Sequence, residues 1–159
     1  MKKPFLLITA AVLLAFCARG AAAQALSVFA DQAFQPVLQE IAPLFTDQTG
    51  FEVQLSLGQS AILAESIRAG AAADLFFPAS EDAMQQMMEK GLVDVALKRN
   101  IVLMPATGPV EEGIVPEPQQ ISAAVLNSAT NRLQAAAFLE FLASEPARTA
   151  FARQGFSLP

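Results

Sequence analysis

The chain contains no histidine, tryptophan or tyrosine, and its only cysteine is Cys17. Without histidine there is no Ser–His nucleophile pair and no imidazole ligand for a metal. A lone cysteine excludes an intramolecular disulfide and a thiolate-built metal site. Positive charge is also scarce: ten Lys and Arg stand against fifteen Asp and Glu, a net charge of −5. A surface of that sign disfavours nucleic acid and anionic membranes as partners. These absences argue against an enzyme, and neither catalytic nor metal-binding residues are assigned. A hydrolase built on Ser60 would lack a base, because Lys90 and Lys98, the only lysines beyond the leader, fall well away from it in the pattern.

What is present begins with a leader. Lys2 and Lys3 precede an apolar run from Phe5 to Ala18, and Ala21-Ala22-Ala23 before Gln24 is a small-residue cleavage site. Residues 1–23 therefore read as a secretory signal peptide, with an uncleaved membrane anchor as the alternative. The run is short for a membrane span. Cleavage predicts a periplasmic or secreted product of 136 residues, without Cys17 and with a net charge of −8. That length suits one domain with a real core.

Periodicity then alternates. Leu26–Ala30 reads as a strand, and Ala33–Thr46 as a helix with Phe34, Val37, Leu38, Ile41 and Phe45 on one face, kinked at Pro43. Phe51–Leu57 alternates as a strand should, and Ala61–Ala69 is helical, with Ile62, Leu63, Ser66 and Ile67 on one side. Ala73–Pro78 is an apolar strand, and Ser80 caps a helix over residues 81–90. Ile101–Met104 predicts a fourth strand, and Ile121–Leu126 another. Asn131–Ala143 predicts a helix with Leu133, Ala137, Phe138, Phe141 and Leu142 inward, and a last helix runs from Ser144 to Gln154. The fold class is α/β: an open, mostly parallel sheet with helices on both faces. Residues 24–159 form a single lobe, with residues 24–104 as its βαβαβα part. A Pro-, Gly- and Glu-rich linker follows at 105–120, then a C-terminal strand and helices at 121–159.

Chemistry concentrates between Gly58 and Ser80. A small-residue loop delivers the Ser60 hydroxyl and free backbone N–H groups to a helix start, a neutral device for holding an anion. For Ser60 alone the plain reading is an N-cap, and the two roles are compatible. Gln32 and Gln59 offer side-chain amides, or are solvated loop residues. Asp74 reads as a local turn or cap residue. Met84, Met87 and Met88 read as gap-filling packing, and Glu111 and Glu112 as a solvated loop.

Three segments carry a resemblance: V-F-A-x-x-A (Val28–Ala33), G-Q-S-A-I-L-A-E-S-I-R-A-G-A-A-A-D-L-F (Gly58–Phe76) and A-F-L-E-F-L-A-S-E-P-A-R-T-A-F-A-R-Q-G-F (Ala137–Phe156). In this order they resemble the periplasmic molybdate-binding proteins of ABC importers. The resemblance implies an oxyanion, molybdate or tungstate, held between two lobes by hydroxyls and N–H groups, and delivered to a membrane permease without any cofactor. Ser60 matches the second binding serine of that family. Ala33 matches the first, so one hydroxyl is missing; Ala33 reads as plain packing, or as a donor through its N–H alone. The linker stands where relatives carry most of a second lobe. Asp31 lies at the first helix start, where a carboxylate caps the helix and repels an incoming oxyanion. Should it plug the space between the two helix starts, the oxyanion cradle is lost.

Two functions follow. One is the secreted binding component of a molybdate-type importer. The other is a single-lobe interaction module derived from that family, weak or inactive towards oxyanions, and able to form a homodimer through its exposed lobe face. An internally deleted gene product with no independent role is a third possibility.

Overall fold

A computed structural model of the chain describes residues 25–105, 119–154 and 156–157. The leader and, at 106–118, most of the expected linker with Glu111 and Glu112 lie outside the described residues.

Strand β1 (Leu26–Asp31) leads through a 3-10 turn (Gln32–Phe34) into helix α1 (Gln35–Thr49). Pro36 sits in the first turn of α1, where the missing N–H costs nothing. The helix runs on past Pro43, which deprives the Gln39 carbonyl of its usual donor; Gln39 and Pro43 are both exposed, so water can supply one. Gly50 stops the helix in a left-handed conformation (φ 77°) that a side chain would resist, and its N–H bonds Thr46 O at 2.7 Å.

There follow β2 (Val53–Gly58), α2 (Ser60–Arg68), β3 (Leu75–Phe77), α3 (Glu81–Glu89), β4 (Val93–Pro105), β5 (Gln119–Leu126), α4 (Arg132–Leu142), α5 (Glu145–Arg153) and the two-residue β6 (Phe156–Ser157). The strands form one sheet in the order β2-β1-β3-β5-β4-β6. Pairing of β1 with β2 and with β3 is parallel, as the βαβ alternation predicts. Beyond β3 the sheet is antiparallel, through β5, β4 and β6. The parallel character is thus confined to three strands of the expected α/β sheet.

Successive strand residues face opposite layers. Leu75, Phe77, Ala123 and Val125 join α1, α4 and α5 in one core, where Phe34 stacks on Phe77 with centroids 4.6 Å apart. Phe76, Ala124 and Leu126 face α2 and α3 on the other side, with Leu63, Ile67, Met84 and Met87. Met84 and Met87 are fully buried and Met88 packs against them, so the methionines are packing residues.

Several expectations are corrected. β4 begins at Val93, eight residues before the expected strand, with an irregular register between Val93 and Lys98. It runs to Pro105 while β5 starts at Gln119, so both ends of the expected 105–120 linker are strand. Ile62 and Leu133 are exposed (60% and 82%), and Ala137 is exposed too. The inward face of α4 is instead Ala135, Phe138, Leu139, Phe141 and Leu142. Asp74 is not a local turn residue. It is buried, and it accepts bonds from Ser27 N (3.0 Å), Asn131 N (2.9 Å) and Asn131 Nδ2 (3.1 Å).

Candidate functional site: a cradle at three helix starts

Strand β1 is the crossing point of the parallel segment, because the chain places β2 on one side of it and β3 on the other. In sheets of this kind, ligand crevices open at the carboxyl ends of the strands beside such a point. Asp31 and Gly58 are register partners at that end, and Ala30 pairs with Phe77. Three strand-to-helix junctions therefore meet there: Asp31–Ala33, Gly58–Ser60 and Pro78–Ser80.

Ser60 is the first residue of α2, behind the N-cap Gln59. It does not cap the helix as the plain reading expects; its buried side chain reaches across the junction. Ser60 Oγ donates to Asp31 Oδ2 at 2.5 Å and accepts from Ala79 N at 2.9 Å. Ser60 N also donates to Asp31 Oδ2, at 2.8 Å. Ala33 N donates to Asp31 Oδ1 at 3.0 Å, which makes Asp31 the N-cap of the 3-10 turn. One carboxylate thus receives the N–H of Ala33 and both the N–H and O–H of Ser60.

Two of the four sequence-designated site residues, Ala33 and Ser60, are brought together, but the object they converge on is Asp31. The space between the two helix starts is therefore plugged, and the expected open oxyanion cradle is not found in this state. Gln32 and Gln59 flank the junctions, exposed, and their amides are not among the donors to this carboxylate. Sequence reasoning missed Ala79. Its signal was the Pro78-Ala79-Ser80 junction, a third strand end meeting a helix start, where Ser80 occupies the N-cap position without a side-chain cap bond.

A second polar group adjoins the first through the start of α3. Glu81 accepts from Lys98 Nζ at 2.9 Å and from Ser122 Oγ at 2.8 Å, and Asn100 lies 3.1 Å from the same hydroxyl. Ser122 has one hydroxyl proton, so Asn100 is best placed with its amide NH2 towards Ser122. Lys98 is thereby engaged by Glu81, and among the described residues no Lys or Arg side chain bonds Asp31. The cradle is built from neutral dipoles alone. It can hold one anion but not two: like charges about 4 Å apart repel by about 4 kcal/mol at an effective dielectric of about 20.

A family model described as bacterial extracellular solute-binding protein matches residues 26–111 and 104–157. Over 77 residues the chain is 34% identical to the molybdate-binding protein ModA of Escherichia coli (strain K12), covering 48% of this chain and 30% of that protein. The chain therefore spans less than a third of that curated relative. Among solved structures, the periplasmic molybdate-binding protein of Azotobacter vinelandii superposes with a TM-score of 0.71 at 15% identity, over 84% of this chain and 99% of that one. The sulfate-binding protein SubI from Mycobacterium tuberculosis H37Rv gives 0.65 at 14% identity, over 83% and 86%. At such identities the likeness concerns the fold: an α/β lobe of the periplasmic-binding-protein type.

Proposed function

Because the chain belongs to the bacterial extracellular solute-binding proteins, we propose that it is the binding component of an importer for tetrahedral oxyanions of the molybdate type. It acts outside the cytoplasmic membrane, after cleavage of residues 1–23, and hands its cargo to a permease. The observation that carries this reading is the convergence of Ala33 N, Ser60 N and Ser60 Oγ on a single negative group, the Asp31 carboxylate, which an oxyanion must displace before those donors are open to it. Ala79 N completes the cluster through Ser60 Oγ. The cradle accepts an anion through helix-start N–H groups and a hydroxyl, the donors that suit a dianion without a desolvated ion pair. Gln32 and Gln59 stand beside it and would add amide donors to a larger tetrahedral guest. Molybdate or tungstate is the proposed ligand; molybdate is what the Escherichia coli and Azotobacter relatives are named for.

Affinity is expected to be low. Hydrogen bonds to a charged group contribute about 1.5–3 kcal/mol each, and a lobe that offers three or four donors lacks those a facing lobe would supply. A dissociation constant near millimolar corresponds to about 4 kcal/mol, the scale expected here. The test is thermal unfolding with and without millimolar molybdate, tungstate and sulfate. A rise in midpoint that Ser60→Ala removes supports the reading; no rise with any of the three overturns it.

One observation favours a second reading. The Asp31 carboxylate fills the cradle. A lobe so occupied suits an interaction module derived from the family, paired with its own copy through the face left open. Concentration-dependent dimerisation in sedimentation, without any oxyanion response, would favour it.

A further inference from the structure

We infer that Asp31 is a tethered competitor for the cradle, a built-in anion that an incoming oxyanion must displace; this rests on the reading of the cradle as the oxyanion site. Its carboxylate takes the donors a ligand needs. Oδ2 receives both Ser60 donors, at 2.8 and 2.5 Å, and Oδ1 receives Ala33 N at 3.0 Å. No donor of that trio is left for a second anion, and no cationic side chain bonds the carboxylate among the described residues to offset two negative charges.

The geometry also allows the carboxylate to leave. Asp31 is the last residue of β1 and is half-buried, with extended backbone angles (φ −62°, ψ 141°), so a side-chain rotation carries its charge to water while β1 stays paired. Because Asp31 is fixed beside the cradle, its effective concentration there is far above that of a free ligand. The apparent affinity for oxyanion is then the intrinsic affinity multiplied by the fraction of molecules in which Asp31 has swung out.

Competition of this kind sets specificity as well as affinity. A monoanion such as formate offers the cradle no more charge than Asp31 does, and it is not tethered. A tetrahedral dianion brings more charge and more acceptor oxygens, so it displaces Asp31 where the monoanion fails. Asp31 is thereby a specificity-determining residue that filters for dianions.

The experiment is calorimetric titration of wild type, Asp31→Ala and Asp31→Asn with sodium molybdate and, separately, sodium formate. Folding is checked by circular dichroism. Asp31→Ala is expected to bind molybdate about tenfold tighter or more and to gain formate binding that wild type lacks. Asp31→Asn keeps the shape and loses the charge; it must also bind molybdate more tightly than wild type, and it carries the test should the alanine variant unfold. Equal molybdate affinity in wild type and the folded variants overturns the competitor and leaves the oxyanion site standing. Absence of any molybdate or formate binding in all three overturns both. Formate binding to wild type as tight as to Asp31→Ala overturns the filter.

Discussion

Asp74 and Asn131 are 57 residues apart, yet the Asp74 carboxylate accepts the Asn131 backbone N–H at 2.9 Å and its side-chain amide at 3.1 Å. The same carboxylate holds Ser27 N, so one buried group ties the start of β1, the approach to β3 and the start of α4. Replacing Asp74 with alanine leaves those donors without their partner in a site only 4% exposed. Each unsatisfied donor costs about 1–3 kcal/mol, so Asp74→Ala is expected to lose roughly 3 kcal/mol. Asp74→Asn, with one acceptor kept, should lose less. Urea unfolding midpoints at unchanged slope measure both.

The two helical faces can be tested against each other. Phe34 is 2% exposed and lies parallel to Phe77, with an interplanar angle of 6°. Phe34→Ala removes that stack and leaves a cavity, for about 3–5 kcal/mol. Leu133, although apolar, is 82% exposed, and Leu133→Ala should stay within about 0.5 kcal/mol of wild type. A large loss at Leu133 in thermal unfolding would mean that α4 is rotated from the orientation described.

Ser122 supplies a smaller effect. It is 1% exposed and gives its hydroxyl proton to Glu81, which Lys98 also holds. Ser122→Ala removes a bond to a charged acceptor, for about 1.5–3 kcal/mol. Lys98→Met removes an ion pair whose Glu81 side is 41% exposed, so solvent screening should make it cost less than the buried serine does. A double-mutant cycle on the two, read by denaturant unfolding, should show non-additivity because both act through Glu81.

The first three strands and their helices were legible because local spacing decides them. Strict alternation marks β2, and glycines end α1, α2 and α3 at positions whose φ values of 77°, 95° and 65° favour residues without Cβ. The rest depends on partners remote in sequence. β4 was missed over Val93–Asn100 because its alternation is broken by the register irregularity between Val93 and Lys98. Leu133 and Ile62 fit a helical stripe but lie at its edge, and only the packed layers decide which residues at the edge face inward. In the cradle, Ser60 could be picked from a helix start, and Ala33 from the family resemblance. The contact of Asp31 with a residue 29 positions on, and of Ser60 with Ala79 19 positions on, follows from the register of β1 with β2 and β3, which no local pattern encodes.

Asp31 carries opposite signs for stability and for binding. Without ligand, Asp31→Ala loses a helix-start cap and leaves Ala33 N, Ser60 N and Ser60 Oγ without their acceptor, so it should be less stable than wild type by about 1–2 kcal/mol. With molybdate the order should narrow or reverse, because ligand adds stability that grows with its concentration over its dissociation constant, about 2.7 kcal/mol at a hundredfold excess. A site whose improvement destabilises the empty protein is the usual form of a stability–function trade-off. Unfolding midpoints of both proteins across a molybdate series trace two curves, and the competitor model requires them to converge or cross. Parallel curves, with Asp31→Ala below wild type throughout, would make Asp31 a cap and nothing more.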